Sequence, residues 1–199
     1  MTKITFEKAT FDHKDMIFLW LNEPHVVEFW DNSPEHRLDI INFMEGRLTR
    51  SPYMGERQSQ VNGIFDYWVG FINQEPYAMI MTSEITMSDC EQENLPYGPY
   101  LSTTGKSFGI DFMIGNTTYL GKGLAAPTLE AFTIFFQKEV DPTVDSFIID
   151  PNDDNPRARH VYAKAGFKVM GEAMTSEMSY FQGMRIHIMV KKLNSGRSS

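Results

Sequence analysis

The sequence predicts a mixed α/β domain in which part of the sheet is parallel. Apolar segments of strand character alternate with segments of helical spacing. Residues 107–166 run strand, helix, strand, helix, an order that requires a crossover between parallel neighbours. At 199 residues the chain has the length of one domain and can bury a core. A single domain over residues 1–193 is expected, with the small polar run 194–199 as a flexible tail.

The chain opens on "ITFEKAT", which places Ile4 and Phe6 on one face of a strand, and residues 12–21 then carry Met16, Leu19 and Trp20 at helical spacing. Ser33 before Pro34 supplies a capping hydroxyl and then a ring at the first helical position; Leu38, Ile41, Met44 and Leu48 extend that apolar stripe to about residue 49. Beyond a polar stretch over 50–65, "DYWVGFI" and "PYAMIMTSEI" read as a hairpin turned through Asn73, Gln74 and Glu75. Residues 86–106 read as a long loop, a kind of segment that often carries function. "SFGIDFMI" is a strand, "GKGLAAPTLEAFTIFFQKE" a helix and "SFIID" a strand. "NPRARHVYAKAG" is a helix that Asn155 caps, Pro156 starts and Gly166 ends. Two more strands are expected near 167–174 and 183–192.

Eighteen Lys and Arg against twenty-six Asp and Glu give a net charge of -8, which repels phosphate backbones and attracts cations. A small cationic amine is therefore the expected partner, and neither nucleic acid nor a membrane is. Hydrophobic residues make up 42% with no long apolar run, which excludes both a disordered and a membrane-spanning chain. The single Cys90 forms no internal disulfide and the first residues lack the apolar stretch of a secretion signal, so a cytoplasmic protein is expected. Scattered histidines, without paired Cys, HExxH or GxSxG, predict no metal.

In "IDFMIGNTTYLGKGLAAPTL", Gly115, Gly121 and Gly123 lie between an apolar strand and a helix whose first amides lack intrahelical partners. Such amides bind anions. A pyrophosphate suits them because several converge on it and the helix dipole favours its charge, with Gly123, Leu124 and Ala125 central. A plain turn uses the same glycines equally well. The spacing matches neither a P-loop, since Gly123 follows Lys122, nor the GxGxxG fingerprint. On the last helix Ala158, Val161, Tyr162 and Ala165 share a face, which sets the Tyr162 ring against the sheet.

A strand, glycine turn and helix followed by a strand and "DxxNxRAxxxYxKAGF" resembles the GNAT superfamily of acetyl-CoA-dependent N-acetyltransferases. The [QR]xxGx[GA] turn of that family maps onto Leu120, Gly121, Lys122, Gly123, Leu124 and Ala125, with Leu120 in place of the usual Gln or Arg. Its C-terminal motif maps onto Asn155, Arg157, Ala158, Tyr162, Lys164 and Phe167, and the matching region covers 66–174. "GIDFMIGNTTYLGKGLA" and the upstream "WLNEPHVVEFW" look most like the aminoglycoside 6'-N-acetyltransferase branch, and the upstream pattern also resembles siderophore-biosynthesis acetyltransferases. The resemblance implies the GNAT fold: a mostly antiparallel twisted sheet with one parallel, splayed pair and about four helices. It implies acetyl-CoA as cofactor, and a monomer or homodimer is expected.

The resemblance also implies roles. The amides of Met113 and Ile114 polarise the acetyl carbonyl, Asn155 bonds the pantetheine arm, Tyr162 protonates the departing thiolate, and Lys122, Arg157, Arg159 and Lys164 are cations near the phosphates. Asp111 interrupts an apolar strand on the face opposite Ile110 and Phe112, so it faces a cleft or is buried with a partner. In a cleft it binds the substrate ammonium and accepts its proton. Trp30, Asp31, Tyr67 and Trp68, with the acidic Asp89, Glu91 and Glu93, suit a polycation, while Trp30 and Trp68 equally suit a core. The expected activity is acetyl transfer from CoA to a primary amine of a small cationic, aminoglycoside-like acceptor by direct attack in a ternary complex. The alternatives are a siderophore or lysine-type metabolite, a protein amine, or a non-catalytic acyl-CoA-binding domain.

Overall fold

Asn73 and Gln74 adopt left-handed backbone, with φ of 51° and 70°, and so fold β2 (Asp66–Ile72) back onto β3 (Glu75–Ile85) in the expected hairpin. The computed structural model describes residues 3–47, 65–175 and 179–193. Its seven strands follow the order β1-β2-β3-β4-β5-β7-β6 in a mixed sheet. The described residues form six α-helices, two more than expected, because short helices α2 (Pro24–Val27) and α4 (Met87–Glu93) occupy segments read as connections. No described helix is long and apolar enough to cross a membrane. The chain divides into two compact units, each built from discontinuous segments.

The first unit comprises Met1–Ser83, Asp111–Leu124 and Met178–Gln182. Strand β1 (Ile4–Lys8) pairs antiparallel with β2 from Ile4–Ile72 to Lys8–Trp68, and β2 pairs antiparallel with β3. Over this sheet lie α1 (Lys14–Trp20) and α3 (Pro34–Met44), whose apolar sides join Tyr67, Val69, Met79 and Met113 in one core. The inward faces differ from those the apolar pattern suggests. In α1 the chain buries Ile17, Trp20 and the following Leu21, a set at i, i+3 and i+4, and Leu19 is left 68% exposed. In α3 the buried face is His36, Asp39, Ile40 and Phe43, while Leu38 is 52% exposed. Polar side chains take core-facing positions there because they find hydrogen-bond partners, which a hydrophobicity pattern does not register. Helix α3 ends at Met44, with Gly46 left-handed shortly after; Leu48, expected to close the stripe, lies outside the described residues.

The second unit comprises Glu84–Ile110, Ala125–Glu177 and Gly183–Ser199. Strand β4 (Lys106–Ile114) pairs in parallel with β5 (Val144–Ile149) from Lys106–Val144 to Gly109–Ile148, the parallel pair the sequence predicts. Strand β7 (Arg185–Lys192) then pairs antiparallel with both β5 and β6 (Lys168–Met174). Helix α5 (Ala125–Phe135) ends in a π-helical turn, Phe136–Val140, and Phe132 and Phe136 pack with Phe108 and Phe147. Helix α6 (Pro156–Lys164) begins and ends where its capping residues place it.

The segment 86–106, read as a long loop, contains two short helical pieces. Thr86 Oγ1 accepts from the Asp89 amide at 3.2 Å while Asp89 Oδ2 accepts from the Thr86 amide at 2.9 Å, a reciprocal box that starts α4; Asn94 ends it in the left-handed region. A 3-10 turn, Gly98–Tyr100, follows.

At Gly115, after β4, the backbone runs so close to the Trp20 indole that a Cβ would overlap the ring, while the Gly115 amide donates to the Tyr77 carbonyl at 2.9 Å. Neither neighbour is free to retreat, since both are buried. Gly115→Ala is expected to destabilise the protein by about 1–3 kcal/mol, read as a lower midpoint in urea unfolding; an unchanged midpoint would refute the close approach.

Candidate active site

The glycine turn is assembled from the strand side. Asn116 Oδ1 accepts from the Thr118 amide at 3.0 Å, and its Nδ2 reaches the Pro76 carbonyl at 3.4 Å. The Tyr119 hydroxyl donates to Glu75, fixing the 3-10 turn Thr117–Tyr119. The chain then extends at Leu120, turns left-handed at Gly121 (φ 73°) and again at Gly123 (φ 71°), and enters α5 at Ala125. A Cβ on either glycine meets nothing within 4 Å, so these residues are needed for their dihedrals and leave the main chain bare. Exposed Lys122 holds its ammonium 5.3 Å from the Tyr119 ring. The result is an open backbone loop running into a helix N-terminus, the arrangement that accommodates a diphosphate. Pro127, the third residue of α5, removes no intrahelical bond there.

In the first unit, three of the residues expected to receive the amine, Trp30, Asp31 and Tyr67, fall into a connected group. Ser33 Oγ caps α3 by accepting from the His36 amide at 3.2 Å, and Asp31 Oδ1 accepts from the Ser33 amide at 2.8 Å. That cap orients His36 so that Trp30 Nε1 donates to its Nε2 at 3.1 Å. One turn on, Asp39 Oδ2 accepts from the Tyr67 hydroxyl at 2.8 Å and from the Phe65 amide at 3.4 Å. The rings of His36, Phe43 and Phe65 surround Tyr67 at centroid distances of 5.5–6.4 Å. Burial, followed by the charges of Asp39, Asp31 and Asp111, holds the Tyr67 phenol well above its ordinary range, so three carboxylates act on one hydroxyl. Burial lowers the pKa of His36 despite Asp31 and Asp39, leaving a neutral ring that accepts at Nε2.

Asp111 is half-buried, and Met113 lies in the core that holds Tyr67. The Ile114 carbonyl accepts from His25 Nε2 at 2.8 Å. Trp68 stands apart from this group: adjacent on β2, it points to the other face, where its Nε1 donates to Thr82 Oγ1 at 3.0 Å beneath the Lys8 ammonium.

In the second unit, Asn155 Oδ1 accepts from the Ala158 amide at 3.0 Å, so its oxygen is used as the α6 cap. Arg157 and Lys164 are exposed, whereas Arg159 is committed to Asp153 at 3.4 Å and to His187. Tyr162 is half-buried with its ring 6.3 Å from Phe167, on the α6 face the sequence predicts. Asp89 serves the α4 box, Glu91 is exposed and Glu93 is half-buried on the same helix.

Three residues escaped the sequence reading. His36 and Asp39 carry a legible signal, a polar pair spaced i, i+3 on a helix of otherwise apolar face. Asp150 sits half-buried after β5, where its Oδ2 accepts from the Tyr97 hydroxyl at 2.7 Å. Removal from water pushes its pKa up to about 6, against the opposing pull of the Tyr97 bond.

That shift fixes a pH dependence. Because the native state keeps the Asp150 proton to about pH 6 while the unfolded chain releases it near 3.8, the native state binds more protons between these values. This group's contribution therefore makes stability fall as pH rises from about 4 to about 6. Asp150→Asn is expected to remove that component and to raise stability at pH 7 by about 1–2 kcal/mol, measured by denaturant unfolding at a series of pH values. Parallel pH profiles for both proteins would contradict it.

Residues 10–175 match the acetyltransferase (GNAT) domain family. Aminoglycoside N(6')-acetyltransferase type 1 of Klebsiella pneumoniae is 28% identical over 177 residues, spanning 87% of this chain and 78% of that protein. The kanamycin resistance protein of Rhizobium radiobacter is 37% identical over 70 residues, 35% of this chain and 62% of that one. Among solved structures, the aminoglycoside N(6')-acetyltransferase of Legionella pneumophila subsp. pneumophila str. Philadelphia 1 superposes with a TM-score of 0.69 at 22% identity over 96% of this chain and 93% of that one. AAC(6')-Ib in complex with coenzyme A and kanamycin does so with a TM-score of 0.69 at 20% identity over 97% and 96%. The structural likenesses establish a shared fold. The family match takes in the glycine turn, strand β5 and the capped α6, and on that extent the chain belongs to the GNAT acetyltransferases.

Proposed function

We propose that this protein transfers the acetyl group of acetyl-CoA to a primary amine of a small cationic acceptor of aminoglycoside type, by direct attack in a ternary complex. The observation that carries the acceptor class is the bonded group in which Asp31 holds the Ser33 cap, the cap sets His36 against Trp30, and Asp39 accepts from Tyr67. Clustered carboxylates and aromatic faces favour a multiply charged amine over a neutral one. The names of the relatives, aminoglycoside acetyltransferases and a kanamycin resistance protein, point the same way.

The residues present fit the cofactor, because the bare main chain from Gly121 to Ala125 has room and dihedrals for a diphosphate. Its amides take the phosphate oxygens, with Leu120 leading into the turn and Lys122, Arg157 and Lys164 offering positive charge to the cofactor. Asn155, whose oxygen caps α6 through Ala158, offers its Nδ2 protons to a pantetheine carbonyl. Bound acetyl-CoA supplies the acetyl group as a thioester whose sulfur leaves as a thiolate. The amides of Met113 and Ile114 donate to the carbonyl oxygen as its charge grows. Asp111 binds the acceptor ammonium and takes its proton, which frees the nitrogen lone pair to form the new C–N bond as the C–S bond breaks. Tyr162 gives its hydroxyl proton to the sulfur, and the second proton, which the acylated nitrogen sheds on becoming a neutral amide, restores the Tyr162 hydroxyl through solvent. Trp30 and Asp31 hold the acceptor, Tyr67 underlies them, and Trp68, Asp89, Glu91 and Glu93 contribute at most to the wider acidic surface.

Thiol release from acetyl-CoA, followed across aminoglycosides, lysine-type diamines and a lysine peptide, tests the reading. Turnover is expected to be fastest with the aminoglycosides. Faster turnover with the diamines or the peptide would move the acceptor class, and cofactor binding without turnover on any amine would replace the enzyme by a binding domain. Asp111→Asn is expected to lower kcat by about 10²–10³-fold and to leave CoA affinity unchanged. Equal kcat in the variant would remove Asp111 from the proton transfer.

A further inference from the structure

In the first unit, the peptide that joins β4 to the glycine turn is gripped at three points. Its carbonyl, that of Ile114, lies 2.8 Å from His25 Nε2. A carbonyl oxygen can only accept, so this nitrogen carries the imidazole proton and His25 donates. Its nitrogen, that of Gly115, donates to the Tyr77 carbonyl at 2.9 Å, and the Asn116 amide donates to the same oxygen at 3.1 Å. Against Gly115 itself lies the Trp20 indole, close enough to exclude a Cβ. The helix that bears His25 hangs from the same tryptophan: the Glu23 amide donates to the Trp20 carbonyl at 3.1 Å, Pro24 then starts α2, and buried Val26 seats it in the core. The Trp30 amide donates to the Val26 carbonyl at 2.9 Å, so α2 runs from the end of β4 to the Trp30–His36 pair.

We propose that His25 is a positioning residue for acetyl transfer, whose bond to the Ile114 carbonyl keeps the Ile114 amide aimed at the acetyl oxygen. The inference rests on the reading of that amide as a donor to the growing oxyanion. In an extended strand the N–H and C=O of one residue point to the same side, and Gly115, the next residue, turns its N–H the other way, to Tyr77. The Ile114 amide and carbonyl therefore share the edge of β4 that faces away from Tyr77. Left bare there, the carbonyl oxygen is a negative pole beside the atom on which charge grows, and it draws the acceptor ammonium to itself. The His25 proton covers that pole and, with Tyr77 and Trp20, stops the peptide plane from swinging. Ile114 and Gly115 are buried, so little water competes for the bond. A donor held in this way needs no reorientation as the transition state forms.

Three variants separate a fixed donor from a base and from a structural role. His25→Gln carries an N–H at the reach of Nε2, His25→Asn is too short to span the gap, and His25→Leu has no donor. With acetyl-CoA and the fastest acceptor of the amine panel, His25→Leu and His25→Asn should lower kcat by about 10–50-fold, less than the roughly 10²–10³-fold of removing an oxyanion donor outright, with both KM values within about 2-fold. His25→Gln should return kcat to within about 3-fold of the parent protein and keep its pH profile. Parental kcat in His25→Leu would overturn the inference. So would a His25→Gln as slow as His25→Leu, or one whose pH profile loses a limb, since either makes the imidazole a base. A loss of kcat no larger than the loss of folded protein, read by thermal unfolding, reduces the bond to a structural one and overturns it as well. If His25→Leu does not fold, the remaining pair decides: kcat about 10-fold higher in His25→Gln than in His25→Asn supports the donor, and equal values overturn it. Each of these outcomes leaves the acetyltransferase reading standing; a parent protein that acetylates no amine takes down both.

Discussion

Two left-handed residues, Gly121 and Gly123, set the geometry from which the chemistry follows. They let the chain leave the 3-10 turn after β4 and enter α5 without side chains over the main chain. Any L-residue with a Cβ strains those dihedrals, by roughly 1–2 kcal/mol per position. The constraint is therefore one of backbone, and it explains why Leu120 can replace the polar residue usual at that position of the family pattern: the amides, rather than the preceding side chain, define the turn. Asn116 and Tyr119 secure its approach by tying the segment to the Glu75–Pro76 end of β3.

The proposed acceptor side follows a different principle. Here the first unit accepts buried polar groups within its core, each held by a bond that local structure makes possible. The Ser33 cap presents His36 to Trp30, and the helical period then carries Asp39 to Tyr67. Every link is short in sequence except the last, which ties α3 to β2. A group of this kind is rigid because moving any member leaves another unpaired in the interior. Rigid, pre-paired carboxylates and rings suit recognition of a cation, since little reorganisation accompanies binding.

Much of the fold was legible in the sequence because its boundaries are chemical. Ser33–Pro34 and Asn155–Pro156 cap and start their helices as read, the Asn73–Gln74 turn joins its hairpin, and the strand, helix, strand, helix order gives the parallel β4–β5 pair. What was misread turned on tertiary choices. Leu19 and Leu38 satisfy a helical pattern yet face out, because Ile17, Leu21 and the hydrogen-bonded His36 and Asp39 take the inward positions. The Thr86–Asp89 box is a helix start in the sequence, but no apolar periodicity follows it to mark a helix. Asp150 was invisible for another reason: its raised pKa comes from removal from water and from Tyr97, far away in sequence. Of the candidate site, the glycine turn and the α6 motif were readable as motifs, and Trp30, Asp31, Tyr67 and Asp111 were named without the helix residues that connect them. Trp68, whose aromatic face suits a polycation as that of Tyr67 does, points the other way, as neighbours on a strand do.

Acetyl transfer as proposed requires the main chain at 121–125 to hold the diphosphate of coenzyme A. Isothermal calorimetry of the parent protein and of Gly123→Val with CoA and with dephosphorylated pantetheine tests it most directly. One CoA per chain is predicted for the parent protein, with affinity reduced at least about 10-fold in the valine variant and the weaker pantetheine binding nearly unchanged. Equal CoA affinity in both folded proteins, or no heat with CoA at all, would contradict it.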